Sequence, residues 1–145
     1  MVSSCADHPN ARVPSSPPPP TPAASPPRRL LSVLDSNQRK QYPVATGFLD
    51  YFPDAIAAVA HISFLGNIKH NPGQPLHWAR GKSNDHADCL LRHVIERGAV
   101  DMEGSEHLAQ AAWRAMAELQ QYLEQKYKLD IPRGVTADGV ELPPR

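Results

Sequence analysis

No stretch of this chain approaches the ~18 consecutive apolar residues of a membrane span. Its amino terminus lacks the continuous apolar core of a secretory signal. A soluble, cytoplasmic protein with no membrane partner is expected. Cysteine is scarce: Cys5 and Cys89 are the only two in 145 residues. One lies in a proline-rich arm and the other in a predicted helix, so reduced thiols rather than a disulfide framework are expected. No Cys/His pair shows the short spacing of a structural zinc motif. A basic surplus is missing as well, since 15 Lys and Arg balance 15 Asp and Glu. Residues 1–45 hold five basic and two acidic side chains, a net of +3, which leaves −3 for the remainder. A nucleic-acid-binding domain normally carries a clear positive excess, so nucleic acid is not the expected partner. Phosphate loops of the P-loop and Rossmann types are absent, as is the serine elbow. No histidine is followed by aspartate, which removes the His-Asp pair that many nucleotide phosphohydrolases use to hold a metal.

Proline is abundant, and unevenly so. Nine of the 16 prolines fall in the first 27 residues, where "PSSPPPPTPAASPP" has almost nothing to bury. Such a segment cannot offset its ordering entropy. Residues 1–41 are therefore expected to be a disordered Pro/Ser-rich arm and linker, residues 42–130 a small all-α domain, and residues 131–145 a flexible tail. A core drawn from about 90 residues is modest, and association would be a natural way to bury more apolar surface.

Three main helices are predicted, with room for a short fourth. In "FPDAIAAVAHISFLGN", Pro53 suits the first turn and Ile56, Val59, Ile62 and Leu65 recur at helical spacing. Gly66-Asn67 reads as its stop, and residues 67–82 as a loop. A second helix is predicted from near Ser83, its N-cap, with Asp85 in the first turn. Ala87, Leu90, Leu91, Val94 and Ile95 gather on one side of it. Asp85, Asp88, Cys89, Arg92 and Glu96 gather on the other, with His86 and His93 at the flank. Gly98 ends that helix. The longest helix, in "SEHLAQAAWRAMAELQQYLEQKY", has an apolar stripe of Leu108, Ala111, Ala112, Ala115, Met116, Leu119, Tyr122 and Leu123. No strand is predicted.

Six of the seven histidines lie between positions 61 and 107, together with most of the candidate acids. Asp85 and Asp88, three apart, put two carboxylates on one helical face. Hard cations such as Mg2+ or Mn2+ use oxygen ligands of this kind, few from protein and the rest from water and substrate phosphates. Asp54 would join them if the helices pack side by side. Lys69, Arg80, Lys82 and Arg92 supply the opposite sign, as a polyphosphate requires. Each of these residues also has a plainer reading: Asp85 complements the helix dipole, and the other charges make a solvated face. Trp78 either anchors its loop on the core or stacks on a ligand ring. The histidines are open between acid–base groups, ring contacts and structural residues.

The strings "HNPGQPLHW", "KSNDHAD", "RH" and "WRAMAELQ", with "FPDAIAAVAHIS" before them, resemble the phage dATP/dGTP diphosphohydrolases, which are related to the MazG-like all-α nucleotide pyrophosphatases. The likeness covers about residues 48–123. It implies an oligomeric all-α hydrolase, a dimer or tetramer, that cleaves a purine nucleoside triphosphate, dGTP before dATP, to monophosphate and pyrophosphate. It further implies Mg2+ or Mn2+ at Asp54, Asp85 and Asp88, with Asp85, Asp88 and His93 as catalytic residues. Asn67, Lys69, His70, Trp78, Arg80, Lys82 and Arg92 are the implied substrate contacts. Asp85-His-Ala-Asp88 matches the family's E-x-x-D pattern with aspartate for glutamate. The E-E-x-x-E pattern is missing from the first helix, and Asp101, Glu103, His93 or His107 would have to replace it. A non-catalytic helical binding module is the rival reading.

Overall fold

The computed structural model describes residues 25–136. The predicted arm through residue 24, with Cys5, and the tail from residue 137 lie outside the described residues. The architecture is helical, as expected. A 3-10 turn at Leu30–Val33, a one-turn helix α1 (Ser36–Arg39) and a π-turn at Ala45–Leu49 lead into α2 (Pro53–His70), α3 (His86–Ile95) and α4 (His107–Tyr127). No helix among the described residues is long and apolar enough to cross a membrane.

α4 is the centre, packed against α3 on one side and, less extensively, against α2 on another. On α2, Ile56, Val59, Ile62 and Leu65 are partly shielded, together with Ser63, Gly66 and Asn67, so its predicted stripe does face inward. Its end was misjudged. Gly66 and Asn67 remain helical, and the helix runs to His70. A helical glycine costs only about 1 kcal/mol relative to alanine. The Asn67 side chain, meanwhile, holds the loop that follows rather than breaking the helix. Its amide donates to the Gln74 carbonyl at 3.1 Å, and its Oδ1 accepts from the His77 N–H at 3.3 Å. Lys69 and His70 thus occupy a last helical turn, not a loop.

The predicted faces of α3 and α4 are also corrected. His86 is the buried residue of α3, with Leu90 and His93 partly shielded beside it, while Leu91, Val94 and Ile95 are exposed. On α4, His107, Ala109, Ala111 and Ala117 are buried, and Leu108, Met116, Leu119 and Tyr122 are exposed. The chain packs its small and histidine-bearing faces together and leaves its large apolar stripes uncovered. Ser83 does not cap α3 either. The helix begins after Asp85, and the Ser83 hydroxyl instead donates to Asp85 Oδ1 at 2.8 Å and accepts from Arg114 at 2.8 Å.

Two polar seams hold this arrangement. In the first, Arg80 makes two charge-assisted bonds to Glu124, at 2.6 and 2.8 Å, with Gln120 donating to Glu124 at 2.7 Å. The side chains are only 19% and 9% exposed, and the guanidinium sits 4.7 Å from the Trp78 ring centroid. Burial opposes ionisation of Glu124, but the bonds from Arg80 and Gln120 hold its carboxyl below the usual range. In the second, His93 Nδ1 and His107 Nδ1 lie 2.9 Å apart, and Glu96 is 3.3 Å from His107 Nε2. One Nδ1 must donate and the other accept, so this contact needs a single shared proton.

The tail is not wholly loose. Val135–Thr136 (β2) pairs in parallel with Trp78–Ala79 (β1), Trp78 opposite Val135. The end of the linker is docked as well: Arg28 and Arg29 bond to the chain just beyond α4.

Breaking the first seam leaves a shielded guanidinium without its carboxylate. Glu124→Ala should lower the unfolding free energy by roughly 2–4 kcal/mol, read by urea denaturation; a loss under ~0.5 kcal/mol would show that the pair is solvent-compensated. The second seam predicts a pH dependence. Burial, then repulsion from His107 and Arg114, holds the His93 pKa below its ordinary value, with Glu96 opposing. As pH falls through ~6.5 the unfolded chain takes up a proton that the folded chain resists, so stability is lost. The melting temperature should drop between about pH 7.5 and pH 5.5, and His93→Asn should flatten that slope. An unchanged slope in the variant would assign the drop elsewhere.

Candidate functional site

A cavity of about 680 Å3 opens between α2, α4, the 71–83 segment and the turn at residues 101–105. Its size is that of ordinary small-molecule sites. α2 contributes Val59, Ile62, Ser63, Asn67, Lys69 and His70, and α4 contributes Gln110, Trp113, Arg114, Met116, Ala117 and Gln120. Positions 110, 113, 117 and 120 recur along one face of α4, so a single helix surface makes a continuous floor.

The two ends of this floor differ in chemistry. Near the start of α4 stand Lys69, His70 and Lys82 with Asp101, Glu103 and Ser105. Lys69 Nζ reaches Glu103 at 2.6 Å, and that hydrogen bond, with the charge behind it, raises the lysine pKa. Lys82 Nζ donates to the His70 carbonyl at 3.1 Å. Asp101 organises the turn beneath them. Its Oδ1 accepts from the backbone N–H of Ser105 at 2.8 Å and of Glu103 at 2.9 Å, and its Oδ2 from Gln110 at 2.7 Å. The Ser105 bond is the leading reason that its pKa lies below the usual carboxylate value.

Towards the other end stand both tryptophans. Trp113 Nε1 donates to Ser63 at 2.8 Å, which ties α4 to α2 across the cavity. Trp78 meets Trp113 edge-on at 5.5 Å and His86 at 5.6 Å between centroids. Arg114 lies 3.1 Å from His86 Nδ1. Because the guanidinium donates, Nδ1 is the acceptor and the neutral ring carries its proton on Nε2. That buried Nε2 has no hydrogen-bond partner and sits within the indole cluster. Burial, then Arg114, pushes the His86 pKa down, so this histidine is a neutral packing element.

Of the sequence-predicted contacts, Asn67, Lys69, His70, Trp78 and Lys82 line the cavity. Trp78 both anchors its loop and presents a ring there, so the two readings were not exclusive. Arg80 is committed to Glu124 behind the wall. Asp88 and Arg92 lie on α3, Asp85 directly precedes it, and Asp54 is in the first turn of α2; none is among the lining residues. Arg92 binds Asp85 Oδ2 at 2.8 Å, and Cys89 Sγ lies 3.3 Å from the same oxygen. The bond from Arg92, then those from Ser83 and Cys89, hold the Asp85 carboxyl far below the usual range. His93 sits in the α3–α4 seam. Trp113, Gln110 and Ser63 were missed. Their only signal was position: Gln110 and Trp113 fall off the apolar stripe of α4 yet lie on a common face.

Among the described residues no three His, Cys, Asp or Glu side chains converge on a point that could hold a metal ion. Asp85 is not on the helix with Asp88 as expected: it directly precedes α3 and its carboxylate is engaged by Ser83, Cys89 and Arg92, while Asp88 lies in the first turn. These are the two carboxylates available. That donor set fits a hard cation completed by water and substrate phosphate, not a closed protein centre.

No curated protein and no solved structure matches the chain. The family model described as dATP/dGTP diphosphohydrolase, N-terminal, matches residues 35–130. That span holds α1 to α4 and nearly all of the cavity lining, and by it the chain belongs to the dATP/dGTP diphosphohydrolase N-terminal family.

Proposed function

We propose that this chain hydrolyses purine deoxynucleoside triphosphates, dGTP in preference to dATP, to the monophosphate and pyrophosphate. The observation that carries the reading is the two-ended cavity. An amphiphile with a flat ring at one end and clustered negative charge at the other is complementary to indoles at one end and lysines at the other. Lys69 and Lys82 neutralise the phosphate chain, while Trp78 and Trp113 flank the base. Asn67 serves indirectly, by fixing the turn that carries His77 and Trp78. Family membership supplies the substrate class.

Mg2+ or Mn2+ belongs to the proposal, held by Asp85 and Asp88 and shared with the substrate, with Asp54 as a further candidate ligand. When bound, such a cation neutralises phosphate charge and polarises the phosphoryl oxygens. Arg92, now paired with Asp85, would be free to bind a phosphate oxygen once that carboxylate is engaged. His93 has its Nδ1 engaged by His107, so Nε2 is the atom assigned a proton-transfer role in this proposal.

Anion-exchange separation of products tests this reading. Purified protein with Mn2+ or Mg2+ should convert dGTP fastest, dATP next, each to monophosphate plus pyrophosphate. Asp85→Asn and Asp88→Asn should each reduce kcat by about a hundredfold or more. Orthophosphate or tripolyphosphate as product would replace this reaction by another phosphohydrolase. Turnover of no nucleotide would favour the non-catalytic binding module, and full activity in both variants would remove the α3 carboxylates as ligands.

The proposal includes a homo-oligomer, dimer or tetramer. Leu91, Val94 and Ile95 on α3 and Leu108, Met116, Leu119 and Tyr122 on α4 are exposed in the single chain. Large apolar side chains left exposed on two neighbouring helices are the surface proposed for contact, and a second copy is the proposed cover. Light scattering should give at least twice the 15.9 kDa chain mass, and Leu119→Glu with Val94→Glu should weaken association by about a hundredfold. A monomeric mass at working concentration would end this part of the proposal.

A further inference from the structure

Part of the cavity wall lies outside the matched span of residues 35–130. Pro132, Gly134 and Val135 line the cavity beside Trp78. They are brought there by backbone chemistry. The Trp78 N–H donates to the Gly134 carbonyl at 2.9 Å, and the Val135 N–H closes a turn on the Pro132 carbonyl at 3.0 Å. The turn out of α4 that makes this possible passes through Lys128, at φ 53°.

The other flank outside that span secures the segment. The Arg28 backbone N–H donates to Asp130 Oδ2 at 2.6 Å. The Arg29 guanidinium donates to the Asp130 carbonyl at 2.5 Å and to the Ile131 carbonyl at 3.1 Å. Carbonyls beyond a helix end have no partner in the helix itself, and a fork of fixed donors suits two successive ones. Both termini of the described chain therefore converge on one wall, and that wall adjoins the tryptophan end of the cavity rather than the lysine end.

We infer that Pro132–Val135 is a base-contacting wall of the nucleotide site, clamped in place by Arg28 and Arg29, so that segments flanking the matched domain set affinity for the nucleobase. The inference rests on the nucleotide reading above. It assigns the apolar surface of Val135 and Pro132 to the ring of the ligand and leaves the phosphate contacts to Lys69 and Lys82.

Both tryptophans of the chain line the cavity, so their emission reports binding without turnover. The full chain would be titrated with dGMP, which carries the base, and with inorganic tripolyphosphate, which does not. Val135→Gly should weaken dGMP binding on the order of tenfold, the size expected for losing one buried aliphatic contact. It should leave tripolyphosphate within about twofold and the melting temperature nearly unchanged. Arg29→Ala should move dGMP affinity in the same direction by a smaller factor, and Arg29→Lys should not restore it, since a point charge cannot span two carbonyls. Equal dGMP affinity in wild type and Val135→Gly would overturn the inference, as would a matching loss for tripolyphosphate or a wild type that does not respond to dGMP. A Val135-dependent dGMP response in a chain that hydrolyses nothing would support the wall while removing the hydrolase reading.

Discussion

Everything in this fold is arranged around the circumference of α4. At 100° per residue, His107, Ala111, Arg114 and Glu118 share one face, and the partners of the first and third of these are on or beside α3. Gln110, Trp113, Ala117, Gln120 and Glu124 share a second, which floors the cavity and ends at the Arg80 pair. Leu108, Ala112, Ala115, Leu119 and Tyr122 share a third, open to solvent, with Met116 at its border with the cavity. Among the described residues the buried apolar ones are all alanines of this one helix. With so little aliphatic volume inside, position is set by directional polar contacts more than by packing.

Those contacts also explain why the cavity persists. α2 has no buried residue, so it is held off α4 rather than pressed against it. The Ser63–Trp113 bond sets the spacing on the indole side and Lys69–Glu103 sets it on the lysine side. Asn71, buried, donates to Asn67 and to the His77 carbonyl, so the Pro/Gly-broken loop returns along the cavity in a fixed path. Prolines and glycines there do not signal looseness. They permit the turns, and the two asparagines fix them.

Sequence reading recovered what is local. The helices, the inward stripe of α2 and five of the residues that line the cavity were legible because periodicity and charge are properties of short segments. What periodicity reports is that a helix has an apolar side, not which neighbour that side meets. For α3 and α4 the natural assumption was an intrachain core, and it failed because His93 pairs with His107 and His86 with Arg114 across the seam. Such a network has no signature in either helix alone. The β1–β2 pair was invisible for another reason: two residues show no alternation, and the pairing joins positions 78 and 135, far apart in the chain.

The three-faced construction has a consequence for how association and catalysis would coexist. The open apolar face lies about 100° around α4 from the α3 face and about 150° from the cavity floor. A copy seated on that stripe would cover Leu119 and Tyr122 without entering the space between α2 and α4. Asp85, Asp88 and Arg92 behave differently. Asp88 and Arg92 are on α3, and Asp85 is the residue just before it, beside Ser83. Ser83 hydrogen-bonds Asp85 on one side and Arg114 on the other, and both Ser83 and Arg114 line the cavity. The Asp85 carboxylate is therefore joined to the cavity lining through one hydroxyl rather than separated from it by a layer of core.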